Sequence, residues 1–380
     1  MTTEFGSMTS KVAFDGKAAQ LVKLRNASGL SIVVMDIGAT WLSCQLPLSY
    51  QQPLNGQQPL GCDADSTSSE LEYREVLLGV NSMTDFATQQ VFLGATVGRY
   101  ANRIAGGRFF IKGDAYQVDT NQAGNCLHGG ADGFDKRRWT IAELSDDKVV
   151  MSLHSPDGDQ GFPGALEVSV CYQVTADNSV SINYYATTDT ATPVNLTNHA
   201  YFNLNPSNSN SEQECVLDHT VEINAEQYLP TNEVGIPLDK PVTVSDTSFD
   251  FRQPKTLRQE LLSDAQQNAA KGYDHSFVLP SQCRPVSDGN EAYAAKVISD
   301  DQRVTLTVFT DKPAMQLYSG NWLAGTPNRC GGQYADYAGL ALETQFLPDA
   351  PNHPEWEQPE CILQPDNEYR YHTRYHFTVK

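Results

Sequence analysis

The chain has 380 residues, and 46 Asp and Glu against 26 Lys and Arg leave a net charge of −20, which argues against nucleic acid as a partner. Apolar residues make up 40%, enough for a substantial core, and no apolar run approaches the ~18 residues of a membrane span. The opening residues, Met1 to Lys11, are polar and show no secretory pattern, so the expected compartment is the cytoplasm.

In chain order, period-2 segments rich in β-branched and aromatic residues predict strands over Leu30 to Asp36, Arg108 to Val118, Leu166 to Val174, Val180 to Thr188, Arg303 to Phe309 and Tyr369 to Val379. Turn residues fall where hairpins need them, at Lys112-Gly113-Asp114 and Ala176-Asp177-Asn178. Residues 49–72 are dominated by Gln, Pro, Gly, Asp and Ser, with Asp63, Asp65, Glu70 and Glu72, and predict an exposed insertion loop. Thr256 to Ala270 carries Leu257, Leu261, Leu262 and Ala265 at helical spacing and predicts a helix that Gly272 stops. No repeat, heptad or linker divides the chain. The expectation is one domain over residues 1–380, all-β, a large antiparallel sandwich with very few short helices.

Eight cysteines stand at 44, 62, 126, 171, 215, 283, 330 and 361, too dispersed for a zinc site or a disulfide scaffold, and are expected to be reduced and mostly buried. The sequons Asn26 to Ser28 and Asn195 to Thr197 carry no weight without secretion. There is no phosphate loop, dinucleotide-binding glycine pattern, H-E-x-x-H or G-x-S-x-G elbow. His372 and His376 lie four apart on a strand pattern with no third ligand nearby, which reads as surface; no metal and no cofactor are expected.

What remains is a set of polar residues pressed between apolar or glycine neighbours. Asn102 and Arg103 follow Gly94-Ala95-Thr96-Val97-Gly98-Arg99-Tyr100. His128 sits in Asn125-Cys126-Leu127-His128-Gly129-Gly130, His199 in Asn198-His199-Ala200-Tyr201-Phe202, Asp274 in Gly272-Tyr273-Asp274-His275, and Glu343 in Leu340-Ala341-Leu342-Glu343-Thr344. Singly, each has a plain structural explanation, a core histidine or a solvent-facing strand carboxylate. Together, two histidines, an Arg, an Asn, an Asp and a Glu without a metal or phosphate signature describe a pocket for a neutral polyhydroxyl compound, with an acid and a base.

Longer segments carry a resemblance: Gly94 to Phe109 (GATVGRYANRIAGGRF), Asn125 to Trp139 (NCLHGGADGFDKRRW), Gly158 to Gly164 (GDQGFPG), Asn195 to Leu204 (NLTNHAYFNL), Gly272 to Phe277 and Leu340 to His353 (LALETQFLPDAPNH). In these the chain resembles the aldose 1-epimerase (galactose mutarotase) family from about Val12 to Lys380, departing from it in the length of the loop around Ser49 to Leu71. The resemblance implies a mutarotase-like β-sandwich with an open sugar site. It also implies cofactor-free interconversion of the α and β anomers of galactose, glucose and similar aldohexoses, by a monomer or weak homodimer. It makes Glu343 the general base at the anomeric hydroxyl and His199 the general acid at the ring oxygen. Asn102, Arg103, His128, Asp274 and Gln316 become sugar-binding residues.

Some roles stay open at this level. His128 could orient the sugar, share the proton or hold Asp274, and Arg103 could be tied up in a structural ion pair; His275 and His353 read as structural. Rival functions are a hexose 6-phosphate epimerase, for which Lys136-Arg137-Arg138 would be the phosphate clamp, a non-catalytic sugar-binding module, and a glycosidase using Asp274 with Glu343.

Overall fold

The computed structural model describes residues 6–48, 72–206, 215–281, 292–356 and 358–380. Strands dominate and every pairing between them is antiparallel. A nine-stranded sheet runs in the order Thr140–Leu144, Lys148–Ser155, Leu166–Val174, Ser179–Thr188, Tyr369–Val379, Val304–Thr310, Ala295–Ile298, Thr220–Ile223 and Lys255–Thr256. A six-stranded sheet runs Tyr201–Phe202, Leu340–Gln345, Ala314–Tyr318, Asp274–Val278, Gln227–Leu229 and Val242–Thr243, and a four-stranded one Leu21–Arg25, Ser31–Met35, Thr40–Leu48 and Glu72–Glu75. The described helices are three short ones, Gly6–Thr9, Met83–Thr88 and Ala265–Ala270, and none is long and apolar enough to cross a membrane.

Alternation explains the layering. Along Leu166–Val174 the positions Leu166, Val168, Val170, Tyr172 and Val174 are buried while those between them are more exposed, so one face of the large sheet closes on the core. The six-stranded sheet meets that face: Thr344 hydrogen-bonds Thr373, and the Tyr375 hydroxyl donates to the Leu342 carbonyl at 3.3 Å. Trp41, from the four-stranded sheet, packs against Phe202 and Tyr375 with ring centroids 5.9 and 5.5 Å apart, which joins the three sheets around one core.

The predicted strands form with small shifts at their ends, and the hairpin at Lys112-Gly113 closes as a two-residue turn with both residues at positive φ. The predicted helix over Thr256 to Ala270 does not form as one element. Lys255–Thr256 pairs as an edge strand, Leu257–Glu260 is a 3₁₀ turn, and Leu262 is left-handed (φ 57°). A helix begins only at Ala265, where the Asp264 carboxylate accepts from the Gln267 N–H at 3.0 Å. Of the predicted insertion, residues 49–71 lie outside the described residues, whereas Glu72 opens the strand Glu72–Glu75. The six described cysteines are free thiols: Cys44, Cys126 and Cys361 buried, Cys171 and Cys215 partly so, and Cys330 exposed.

Candidate active site

The three adjacent strands Asp274–Val278, Ala314–Tyr318 and Leu340–Gln345 pair so that Ser276 lies opposite Gln316 and Gln316 opposite Glu343, while Asp274 lies opposite Tyr318 and Tyr318 opposite Ala341. Because side chains alternate, Glu343, Gln316, Tyr318 and Asp274 share one face, and Leu342 and Leu317 go to the core on the other. Strand pleating therefore puts a carboxylate inside an apolar segment without putting it in the core.

His199 reaches the same face by a different route. Thr197–Asn198 pairs with Thr96–Val97, the His199 N–H donates to the Ala95 carbonyl at 2.9 Å, and Tyr201–Phe202 pairs with Leu340–Ala341. This ladder brings His199 Nε2 to 3.5 Å from Glu343 Oε1, with both side chains almost fully buried. Asn102 and His128 are locked to each other: the Asn102 N–H donates to His128 Nδ1 at 3.2 Å, and the His128 N–H to the Asn102 carbonyl at 3.0 Å. Gly129 (φ +89°) permits that loop, since a Cβ there would stand 2.1 Å from the Gly98 carbonyl oxygen.

These elements enclose an open cavity of about 450 Å³ lined by Asn102, Arg103, His128, His199, Asp274 and Glu343, together with Phe92, Gln122, Tyr201, Tyr318 and Trp322. The Arg103 guanidinium donates to Gln122 Oε1 at 3.0 Å and Asn102 Oδ1 at 3.3 Å, and among the described residues it forms no ion pair. Gly235 (φ +79°) leaves it room: a Cβ there would come within 2.5 Å of Arg103 Cζ. Gln316 is placed differently from the sequence expectation. It sits behind Asp274 and does not line the cavity; its Nε2 donates to Asp274 Oδ1 at 2.7 Å, and its Oε1 accepts from the Ser276 hydroxyl.

Burial governs the protonation of the pair. It pushes Glu343 up to about 8, helped by the nearby Asp274 and opposed by Arg103, and it draws His199 down to about 4, with a hydrogen bond to its own backbone and Asp274 pulling the other way. His128 lies well below its ordinary range for the same reason, reinforced by His199 and Arg103. Burial therefore favours a protonated Glu343 beside a neutral His199 around neutral pH. The alternative, a Glu343 carboxylate beside a His199 imidazolium, is an ion pair that burial disfavours at this depth.

A family model described as aldose 1-epimerase matches residues 61–376. The aldose 1-epimerase of Escherichia coli (strain K12) is 46% identical over 372 residues, 98% of this chain and 99% of its own. This chain belongs to the aldose 1-epimerase family. The galactose mutarotase of Homo sapiens is 39% identical over 306 residues, 80% of this chain and 84% of its own. Among solved structures, an aldose epimerase homologue from C. elegans aligns with a TM-score of 0.80 at 25% identity, covering 95% of this chain and 99% of that one. Family membership places the protein in the isomerase class.

One ligand atom from each of His128, His199 and Glu343 falls within 4.8 Å of the others, close enough to suggest a metal. The tautomer argues against it. His128 Nδ1 already accepts the Asn102 N–H, so in the neutral ring Nε2 carries the proton, and coordination through either nitrogen would break that arrangement. His372 and His376, four positions apart on one extended strand, are separated by about 13 Å of backbone rise. His275 is buried on the core side and faces Gln266 Oε1 at 3.3 Å, and His353 stacks on Trp356 in a separate cavity. Sequence reading missed Phe92, Gln122, Tyr201, Tyr318 and Trp322 as cavity residues: Tyr201 sits in the His199 segment without standing out there, and the other four meet the site only when distant segments assemble.

Proposed function

We propose that this aldose 1-epimerase family member converts α and β anomers of aldohexoses such as galactose and glucose by acid and base catalysis, without a cofactor. The observation that carries the reading is the 3.5 Å approach of His199 Nε2 and Glu343 Oε1 at the wall of a polar cavity. In a pyranose, the anomeric hydroxyl and the ring oxygen are bonded to the same carbon, so two groups this close can serve both.

Sugar hydroxyls entering the cavity supply the hydrogen bonds that a buried carboxylate lacks, and Glu343 Oε2 has none from the described residues. The proton then moves to His199. Glu343 takes the proton of the anomeric hydroxyl while His199 protonates the ring oxygen, and the ring opens. The open aldehyde now faces a protonated Glu343 and a neutral His199, the distribution that burial favours. Rotation about C1–C2 and closure on the other face return both protons in reverse. Neutral His128, its Nδ1 held by the Asn102 N–H, offers an Nε2–H donor to the sugar, and Arg103 and Asp274, which line the same cavity, offer a donor and an acceptor for its hydroxyls.

A phosphosugar substrate finds no clamp in the basic run. Arg137 pairs with Asp132 and Asp159, Arg138 with Asp15 and Asp36, and Lys136 donates to the Ala131 carbonyl; none of the three lines the cavity. The test follows anomer exchange by polarimetry or proton NMR with α-D-galactose, α-D-glucose and glucose 6-phosphate. Rapid equilibration of the free sugars, lost in a folded His199→Asn variant, is expected. Acceleration of glucose 6-phosphate alone, or full turnover by His199→Asn, would overturn the reading.

A further inference from the structure

Phe92 has φ 58°, a left-handed backbone conformation that a bulky side chain adopts only where its surroundings impose it. The constraint is visible on both sides: the Val91 N–H donates to Gln89 Oε1 at 2.9 Å before it, and after it the Ala95 N–H donates to the Phe92 carbonyl at 3.0 Å and the Gly94 N–H to the His199 carbonyl at 2.9 Å. The strained turn places one ring at the cavity wall, with its centroid 4.6 Å from His128 and 5.8 Å from His199, nearly parallel to the latter at 24°.

The two imidazoles are held in different ways. His128 is fixed by the Asn102 N–H. His199 Nδ1 is buried and reaches no group outside its own residue among the described residues, so no neighbouring element sets the rotation of its ring through that nitrogen. Beyond the 3.5 Å approach of Nε2 to Glu343, packing does: Phe92 lies against it at 24° and Tyr201, 4.9 Å away, at 32°. Tyr201 belongs to the sheet, whereas Phe92 is held by its turn, in which the Val91 and Leu93 N–H groups both donate to Gln89 Oε1.

We propose that Phe92 is a positioning residue, whose ring fixes the plane of His199 against His128 and keeps water from the two imidazoles. The proposal rests on the mutarotase reading for its kinetic consequences, but its structural content stands apart from it. Besides Phe92, His199 is faced by Glu343 and Asp274 from the six-stranded sheet, by His128 and by the Tyr201 ring, with Arg103 and the Tyr318 phenol lining the same cavity. Of these groups Phe92 alone carries no charge or dipole to compensate a proton, so losing it acts through hydration and orientation.

The experiment compares Phe92→Ala, Phe92→Gly and Phe92→Tyr with the unaltered protein. Phe92→Ala is expected to lower kcat about 100-fold with KM nearly unchanged, the scale of a misplaced reacting group. It should also move the acidic limb of the kcat/KM profile upward by about one pH unit, as water reaches His199. Phe92→Gly, which accepts a positive φ without strain, should melt no lower than Phe92→Ala yet be as slow, and Phe92→Tyr should recover most of the turnover. A raised KM with kcat unchanged would make Phe92 a sugar platform and overturn the proposal. NMR titration of the histidine side chains in Phe92→Ala separates the two readings, because it needs no turnover. A raised His199 pKa in a protein that never mutarotates sugar would sustain the positioning role and sink the function; an unmoved His199 would sink the positioning role.

Discussion

Replacing Glu343 by Gln should separate activity from stability, and in opposite directions. The substitution keeps shape and removes one ionisable group from a site only 3% exposed. Losing the proposed general base should lower kcat by about 10² to 10⁴. Stability follows from the pKa. Below the unfolded carboxyl value of 4.5 the side chain is protonated in both states, and its burial carries no ionic penalty. As pH rises toward the folded value of about 8, the unfolded chain sheds the proton while the folded one retains it, so the native protein loses stability throughout that interval. Complete displacement corresponds to roughly 5 kcal/mol, an upper figure because water entry and relaxation soften it. Gln has no such dependence. The variant should therefore match the unaltered protein in calorimetric Tm near pH 5 and melt several degrees higher near pH 9, while polarimetry with α-D-galactose shows it slow at both. A Tm difference that does not grow with pH would refute the burial reasoning, and normal turnover would refute the role of the base.

The pair holds one proton between its two limits, so kcat/KM should stay level across neutrality, fall above about pH 8 as the pair loses its proton and fall below about pH 4 as it gains a second; a single rising limb across neutrality would contradict this. Gln316→Leu removes the 2.7 Å donor that holds Asp274 and leaves the acid and base in place, so KM should rise about tenfold with kcat little altered; a loss confined to kcat would place Gln316 elsewhere in the chemistry. Arg99, 2% exposed, donates to the carbonyls of Pro163 and Gly164 and to the Ser155 hydroxyl at 3.0, 2.9 and 2.7 Å. Arg99→Lys cannot reproduce that fork and should cost about 2 to 4 kcal/mol in denaturant unfolding. An unchanged midpoint would mean that the guanidinium does not hold those loops.

Much of the fold was legible because a half-buried strand writes its period directly into the chain. Tyr369 to Val379 and Leu166 to Val174 could be read from alternation alone. Thr256 to Ala270 could not. Its leucines fit helical spacing, but Leu257 is drawn into the core by strand pairing beside it while Leu262 turns out to solvent at positive φ, and no local signal ranks those contacts above a helix. At the site, Glu343 announced itself as a carboxylate in an apolar strand, and His199 by its crowded setting. Alternation assigns Gln316 to the correct face but says nothing of depth, which is why it lies behind Asp274 and not beside the cavity. Phe92 and Tyr318 left no trace, since what matters about them is which distant ring or strand they meet. The Arg99 contacts also explain why the glycine- and proline-rich segment Gly158 to Gly164 matters: two of the carbonyls that seat the guanidinium come from it.

The placing of Tyr369–Val379 bears on how this molecule is made. It lies in the interior of the nine-stranded sheet, between Ser179–Thr188 and Val304–Thr310. During synthesis the Ser179–Thr188 strand must wait, its outer edge unpaired, while the ribosome delivers everything between Thr188 and Tyr369. An open edge on a growing sheet invites pairing with other nascent chains. The large sheet therefore completes late and over long sequence separation, which favours slow folding.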